Sequence, residues 1–161
     1  MQSKEQTYQQ TLQAIRSLID GEDDLISVIS TVSCELFHAF PHWNWVGFYR
    51  RVDAETLKVG PYQGSHGCLT IHIHRGVCGA CVREKAVQLV SDVTQFPGHI
   101  ACSSETRSEI VLPVCNDAGE VVAVLDIDSV EPEAFDEVDQ RYLEVVVGWI
   151  RPLFNGQEAS I

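Results

Sequence analysis

Apolar side chains recur at Tyr8, Leu12, Ile15 and Ile19 along an otherwise polar N-terminal stretch. At 3.6 residues per turn these positions fall on one stripe, which predicts an amphipathic helix over residues 3–20 that ends at Gly21. Asp23 and Asp24 then precede a richer apolar run. A short acidic side chain there accepts from the free N–H groups of a first turn, so a second helix is expected over Leu25–Phe40, closed by Pro41. From Trp43 the pattern changes. Trp45–Arg50 reads as a strand, Asp53–Thr56 as a turn and Leu57–Tyr62 as the returning strand. A third strand is expected over Leu69–His74, a short helix from Gly76 to Val82, and a short strand at Val87–Val90. Residues 92–107 form a long polar loop around Pro97-Gly98-His99, and loops of that length in compact domains are commonly functional or disordered. Strands Glu109–Val114 and Val121–Asp128 flank the turn Asn116-Asp117-Ala118-Gly119. Phe135 and Asp136 open a C-terminal helix to about Phe154, capped by Asp136 and seamed by Tyr142, Val146, Trp149 and Leu153. The order defines an α+β fold in a single domain over 1–161, with N-terminal helices in 1–42, sheet and loops in 43–130 and a C-terminal helix in 135–154.

Charge narrows the partners. A net charge of −12 over 161 residues excludes a phosphate-backbone partner and an anionic membrane surface, since both call for a Lys/Arg surplus. No segment reaches the roughly 18 consecutive apolar residues of a membrane span, and the N-terminus lacks the basic and apolar regions of an export signal. The expected location is the cytoplasm, where the six cysteines are reduced thiols by default. They are then buried small hydrophobes, metal ligands or reactive groups.

Alternation along Val122–Asp128 points Asp126 and Asp128 to one face and Leu125 and Ile127 to the other. If Cys115 pairs with Glu120 across a four-residue turn, Glu109 lies opposite Asp126. Another even loop length moves it opposite Asp128, and an odd one breaks the relation. Like charges facing each other on a sheet are destabilising, so the arrangement should serve a purpose. Crowding raises at least one carboxyl pKa and makes a proton donor near neutral pH, and carboxylates also suit an ammonium group. The competing readings are a solvated strand end or a hard-cation chelate.

Cys34 and Cys115 read as core or near-core residues, whereas Cys68, Cys78, Cys81 and Cys102 lie in Gly-rich or polar loop contexts. Cys78-Gly79-Ala80-Cys81 is a CxxC at a helix start, where the helix dipole lowers a thiol pKa. With His72 and His74 it also offers zinc ligands, but a second ligand pair is missing and those histidines read as an exposed strand face. Cys102 sits in the long loop just before the strand carrying Glu109. A thiolate beside a proton donor suits reduction of an S–O or O–O bond, with a sulfenic acid formed and a second thiol condensing to a disulfide.

The segments Trp45-Val46-Gly47-Phe48-Tyr49, Gly60-Pro61-Tyr62-Gln63-Gly64, Arg75-Gly76-Val77-Cys78-Gly79, Gly98-His99-Ile100-Ala101-Cys102 and Arg107-Ser108-Glu109-Ile110-Val111-Leu112-Pro113 resemble the free methionine-(R)-sulfoxide reductases, enzymes built on a GAF domain. The resemblance runs from about Trp43 to Trp149. It implies a six-stranded antiparallel sheet flanked by N- and C-terminal helices. It also implies reduction of free methionine (R)-sulfoxide, with Cys102 as nucleophile, Cys68 as main resolving thiol and Cys78 as a second thiol. Glu109, Asp126 and Asp128 match substrate-binding carboxylates, and Trp45 and Tyr49 match the aromatic wall at the substrate's methyl end. No cofactor is implied. Electrons come from thioredoxin, ultimately from NADPH, and the enzyme is a homodimer. The chain departs from the pattern at Thr70, His72, His74 and Ser103, and Cys81 is not among the family's three cysteines. The alternative is a GAF ligand-binding or redox-sensing module without turnover.

Overall fold

The computed structural model describes residues 1–155; the end of the expected 1–161 domain lies outside the described residues. The chain runs through α1 (Lys4–Ile19), α2 (Leu25–Ala39), β1 (Trp43–Arg51), β2 (Thr56–Gly64), β3 (Thr70–His72), α3 (Gly76–Glu84), β4 (Gln88–Val90), β5 (Ser108–Cys115), β6 (Val121–Ser129) and α4 (Glu137–Phe154). Six antiparallel strands form one sheet in the order β3-β2-β1-β6-β5-β4. The α+β architecture expected from the sequence is the one observed.

The helix starts follow from capping. Ser3 accepts from Gln6 N–H while Gln6 reaches back to Ser3 N–H, closing a capping box on α1. Asp24 caps α2 through Ser27 N–H, and Asp136 and Asp139 form a second box at α4. Asp139 is buried and also holds α1 to α4. It accepts from Lys4 Nζ and Tyr8 Oη, each at 2.6 Å. Beside that carboxylate, burial and the charge of Asp139 push the Tyr8 phenol far above its ordinary pKa, so it remains a donor.

Period-two alternation sorts the sheet into two faces. Val46 and Phe48, Ile110, Leu112 and Val114, and Ala123, Leu125 and Ile127 point to one side, where α1, α2 and α4 cover them in the main core. Each of these fully buried Val, Leu, Ile or Phe side chains contributes about 1.5–3 kcal/mol. The other side carries Trp45, Tyr49, Val111 and Val124, and α3 and the long loops cover it.

Three expectations need correction. β3 is shorter than Leu69–His74: the chain turns after His72, where Arg75 N–H donates to the His72 carbonyl, and Leu69 is exposed. The α4 seam is rotated. Leu143, Val146, Val147, Ile150 and Phe154 are buried, while Tyr142, Trp149 and Leu153 flank them, with Tyr142 stacked on Tyr8 and the Arg16 guanidinium over Trp149. The third concerns register. Cys115 pairs with Val121, so residues 116–120 make an odd loop, with Gly119 in the left-handed region at φ 80°. The register then shifts by one, because Val114 pairs with Ala123 and leaves Val122 as an extra residue on β6. The bulge restores even parity, and Glu109 faces Asp128 rather than Asp126.

Candidate active site

One row across three strands places Trp45, Asp128 and Glu109 side by side, and the next row places Gly47, Asp126 and Val111. Their side chains share the face covered by α3, so Glu109 and Asp126 are buried and Asp128 is half-buried. The solvated strand end considered from sequence is thereby excluded. A cavity opens over these rows. Trp45 and Tyr49 form one wall, Glu109, Asp126 and Asp128 lie at the carboxylate end, and Cys78 and Cys102 complete it. Trp45 stacks between Tyr49 and Tyr62, with ring centroids at 5.5 and 5.2 Å.

Burial pushes Glu109 well above the usual carboxylate range, and the charges of Asp126 and Asp128 push it further. Asp128 is raised well above its ordinary value by burial and then by Asp126. Asp126 rises to about 6, chiefly through burial, with Glu109 and Cys78 hydrogen-bonding partly against the shift. All three carboxyl groups are therefore shifted toward the protonated form, Asp126 least explained by its neighbours' charges. Asp126 Oδ1, Asp128 Oδ1 and Trp45 Nε1 are buried without a hydrogen-bond partner. Each such group costs about 1–3 kcal/mol when unsatisfied, so the pocket is built around polar groups that a ligand must complete.

Cys68 and Cys102 are joined in a disulfide with Cα atoms 5.5 Å apart. The bridge ties the loop after β2 to the long loop before β5, against the cavity. Gly67 lets the Cys68 loop lie on the aromatic wall. A Cβ there would come within 3.0 Å of Trp45 Cζ2 and 3.1 Å of Tyr49 Oη.

Cys78 corrects the simple dipole argument. It lies in the first turn of α3, yet burial and the nearby carboxylates raise its thiol pKa well above the ordinary value. Cys81 is also buried and raised, and its thiol faces the Val111 carbonyl. Both are free thiols, so the CxxC is not a disulfide here. His72 and His74 are exposed, as expected, with His74 3.5 Å from Glu55. Cys34 and Cys115 are half-buried. Sequence reasoning did not single out His66, Gly67, Ile71 or Thr106, which also line the cavity. His99 and Ile100, inside the motif before Cys102, were legible only as part of it, and burial lowers the His99 pKa.

Six antiparallel strands with helices on one face and a thiol- and carboxylate-lined pocket on the other define a small-ligand domain of the GAF class. The GAF domain family model matches residues 2–150. The chain is 39% identical over 148 residues to the free methionine-R-sulfoxide reductase of Saccharomyces cerevisiae, covering 88% of this chain and 82% of that protein. It is 37% identical over 145 residues to the protein of the same name from Escherichia coli, covering 90% and 87%. The X-ray structure of free methionine-R-sulfoxide reductase from Neisseria meningitidis in complex with its substrate superposes with a TM-score of 0.90 at 37% identity, covering 96% of this chain and 92% of that one. The chain belongs to the GAF-domain family and, within it, to the free methionine-R-sulfoxide reductases.

Proposed function

We propose that the chain, as one domain over 1–161, reduces free methionine (R)-sulfoxide to methionine. The observation that carries this reading is the Cys68–Cys102 disulfide set against a cavity that also holds Glu109, Asp126 and Asp128. In the reduced chain the Cys102 thiolate attacks the sulfoxide sulfur. Glu109, kept protonated by burial and its two neighbours, gives a proton to the departing oxygen. Methionine leaves and Cys102 becomes a sulfenic acid. The Cys68 thiol then displaces water from it, forming the disulfide; Cys78 is the reserve thiol. Asp126 and Asp128 accept from the substrate ammonium, which meets their unpartnered oxygens. Trp45 and Tyr49 enclose the methyl end. The enclosed pocket favours a free amino acid over a residue held in a chain.

Thioredoxin, reduced at the expense of NADPH, opens the disulfide for the next cycle, and no prosthetic group is needed. The protein works as a homodimer in the cytoplasm. Among the described residues no helix is long and apolar enough to cross a membrane. The test is a thioredoxin-coupled assay of NADPH oxidation with free methionine (R)-sulfoxide, its S epimer and a peptide-bound sulfoxide. Turnover on the free R epimer alone is expected. Absence of turnover there, with substrate still bound, would leave the sensing module in its place.

A further inference from the structure

Cys78 is free while Cys68 and Cys102 are bridged. Its Sγ, one oxygen of Glu109 and one of Asp126 all lie within 4.8 Å of one another. We infer that these three side chains form a site for a thiophilic divalent cation of the Zn²⁺ kind, which occupies the pocket in place of substrate.

The donors differ from a surface acidic cluster. Cys78 is 4% exposed, Glu109 6% and Asp126 5%, and all three line one cavity. Asp126 and Asp128 both line that space, and Oδ1 of each is buried without a hydrogen-bond partner. A buried acceptor left open in this way calls for a proton donor or a cation. A dication also relieves the repulsion among three neighbouring carboxyl groups. The thiol selects the metal class. Mg²⁺ and Ca²⁺ take oxygen ligands in six or more positions, whereas Zn²⁺ accepts mixed sulfur and oxygen donors in four. Zinc sits about 2.3 Å from sulfur and about 2.1 Å from carboxylate oxygen, so small side-chain rotations bring the three donors into its sphere. Asp128 or a water fills the fourth position.

Binding is ligand exchange without electron transfer. The cation takes the Cys78 thiolate and the two carboxylates, and the protons held by Cys78 and Glu109 pass to solvent, so affinity rises with pH. The site is distinct from the earlier grouping of His72, His74, Cys78 and Cys81, because the two histidines are exposed. It persists in the disulfide form, where the attacking and resolving thiols are locked. Displacement by substrate rests on the reading of Asp126 as an ammonium acceptor; cation binding itself does not.

The experiment titrates the disulfide form of the full chain with ZnCl₂ against a chromophoric zinc indicator. One Zn²⁺ per chain is expected. Cys78→Ser and Asp126→Asn should each weaken it tenfold or more, about 1.4 kcal/mol. Cys34→Ser, which removes the half-buried thiol 3.7 Å from His38, should leave it unchanged. Binding that survives both pocket substitutions, or that Cys34→Ser abolishes, overturns the site. A readout on the unsubstituted chain covers the case of a misfolded variant. Co²⁺ should give a near-ultraviolet thiolate charge-transfer band, and its absence overturns thiolate ligation. Free methionine (R)-sulfoxide should raise the apparent Kd for Zn²⁺, and failure to do so overturns the shared pocket. Reductase activity is measured separately on chelator-treated protein, so either reading can fail alone.

Discussion

Glu109 stands directly across the sheet from Asp128, and Trp45 flanks that aspartate from the opposite strand. Two carboxyl groups in facing positions repel when both are ionised, so the pair shares its protons with Asp126 as a coupled set. Glu109, buried and hydrogen-bonded to both aspartates, is the natural acid.

Replacing Glu109 with Gln removes the acid but keeps the shape of the side chain. The expected loss in kcat is on the order of 10²–10⁴-fold, the usual contribution of a positioned acid. KM should change far less, which steady-state kinetics resolves. A rise in KM with kcat unchanged would assign Glu109 to binding alone.

The two bridged thiols should separate in a single-turnover experiment. Cys102→Ser should release no methionine. Cys68→Ser should release one equivalent and then stall as a sulfenic acid or a Cys78 disulfide, which mass spectrometry of the trapped chain distinguishes. Sustained cycling by both variants would show the roles to be misassigned.

The carboxylates also cost stability. The folded state raises Asp126 to about 6, above its unfolded value, so the native chain binds the extra proton. Stability from this group is fully present at low pH and falls as pH rises from about 4 to 6. A shift of that size amounts to about 3 kcal/mol. Asp126→Asn should therefore be more stable than the parent at pH 7, with the gap narrowing toward pH 4. Urea denaturation at both pH values checks the sign.

Gly67 sets the approach of the Cys68 loop to the aromatic wall. In Gly67→Ala the new methyl must displace Trp45 or lift the loop, because it starts within 3.0 Å of Trp45 Cζ2. Methionine release in the first turnover should persist, while disulfide formation slows and sulfenic acid accumulates. Stopped-flow trapping of the sulfenic acid measures this.

Far from the pocket, Asp139→Ala should leave Tyr8 Oη and Lys4 Nζ without their shared acceptor. Lys4 keeps Asp136 at 3.3 Å and the Ala134 carbonyl, so the main loss is the buried Tyr8 hydroxyl left without an acceptor, about 1–3 kcal/mol. Chemical denaturation should register that loss, while kcat per folded chain stays unchanged.

Much of this was legible in the residues, for identifiable reasons. The strand carrying Asp126 and Asp128 alternates so regularly that their common face follows from pleating alone. The partner of Glu109 was legible only to within two residues, because pairing depends on loop parity and on a bulge that no local residue type announces. The α4 seam was misjudged since both stripes are apolar. The larger aromatics lost the core position to Leu143, Val147 and Ile150, which face the other helices and the sheet. The Cys78 thiol was misjudged because its helix position was visible and its burial among carboxylates was not. Pocket residues such as His66 and Thr106 come from separate loops, and only the tertiary fold brings them together.

The extra residue at Val122 has a bearing on how such a site tolerates change. Hairpin tips are where chains gain and lose residues most freely. A single insertion in a strictly paired hairpin would turn a whole strand over and exchange its acids for its oils. Here the odd tip and the bulge cancel, so Glu109 keeps its place opposite Asp128. The one extra residue on β6 is what lets an odd tip coexist with a buried acid on the pocket face.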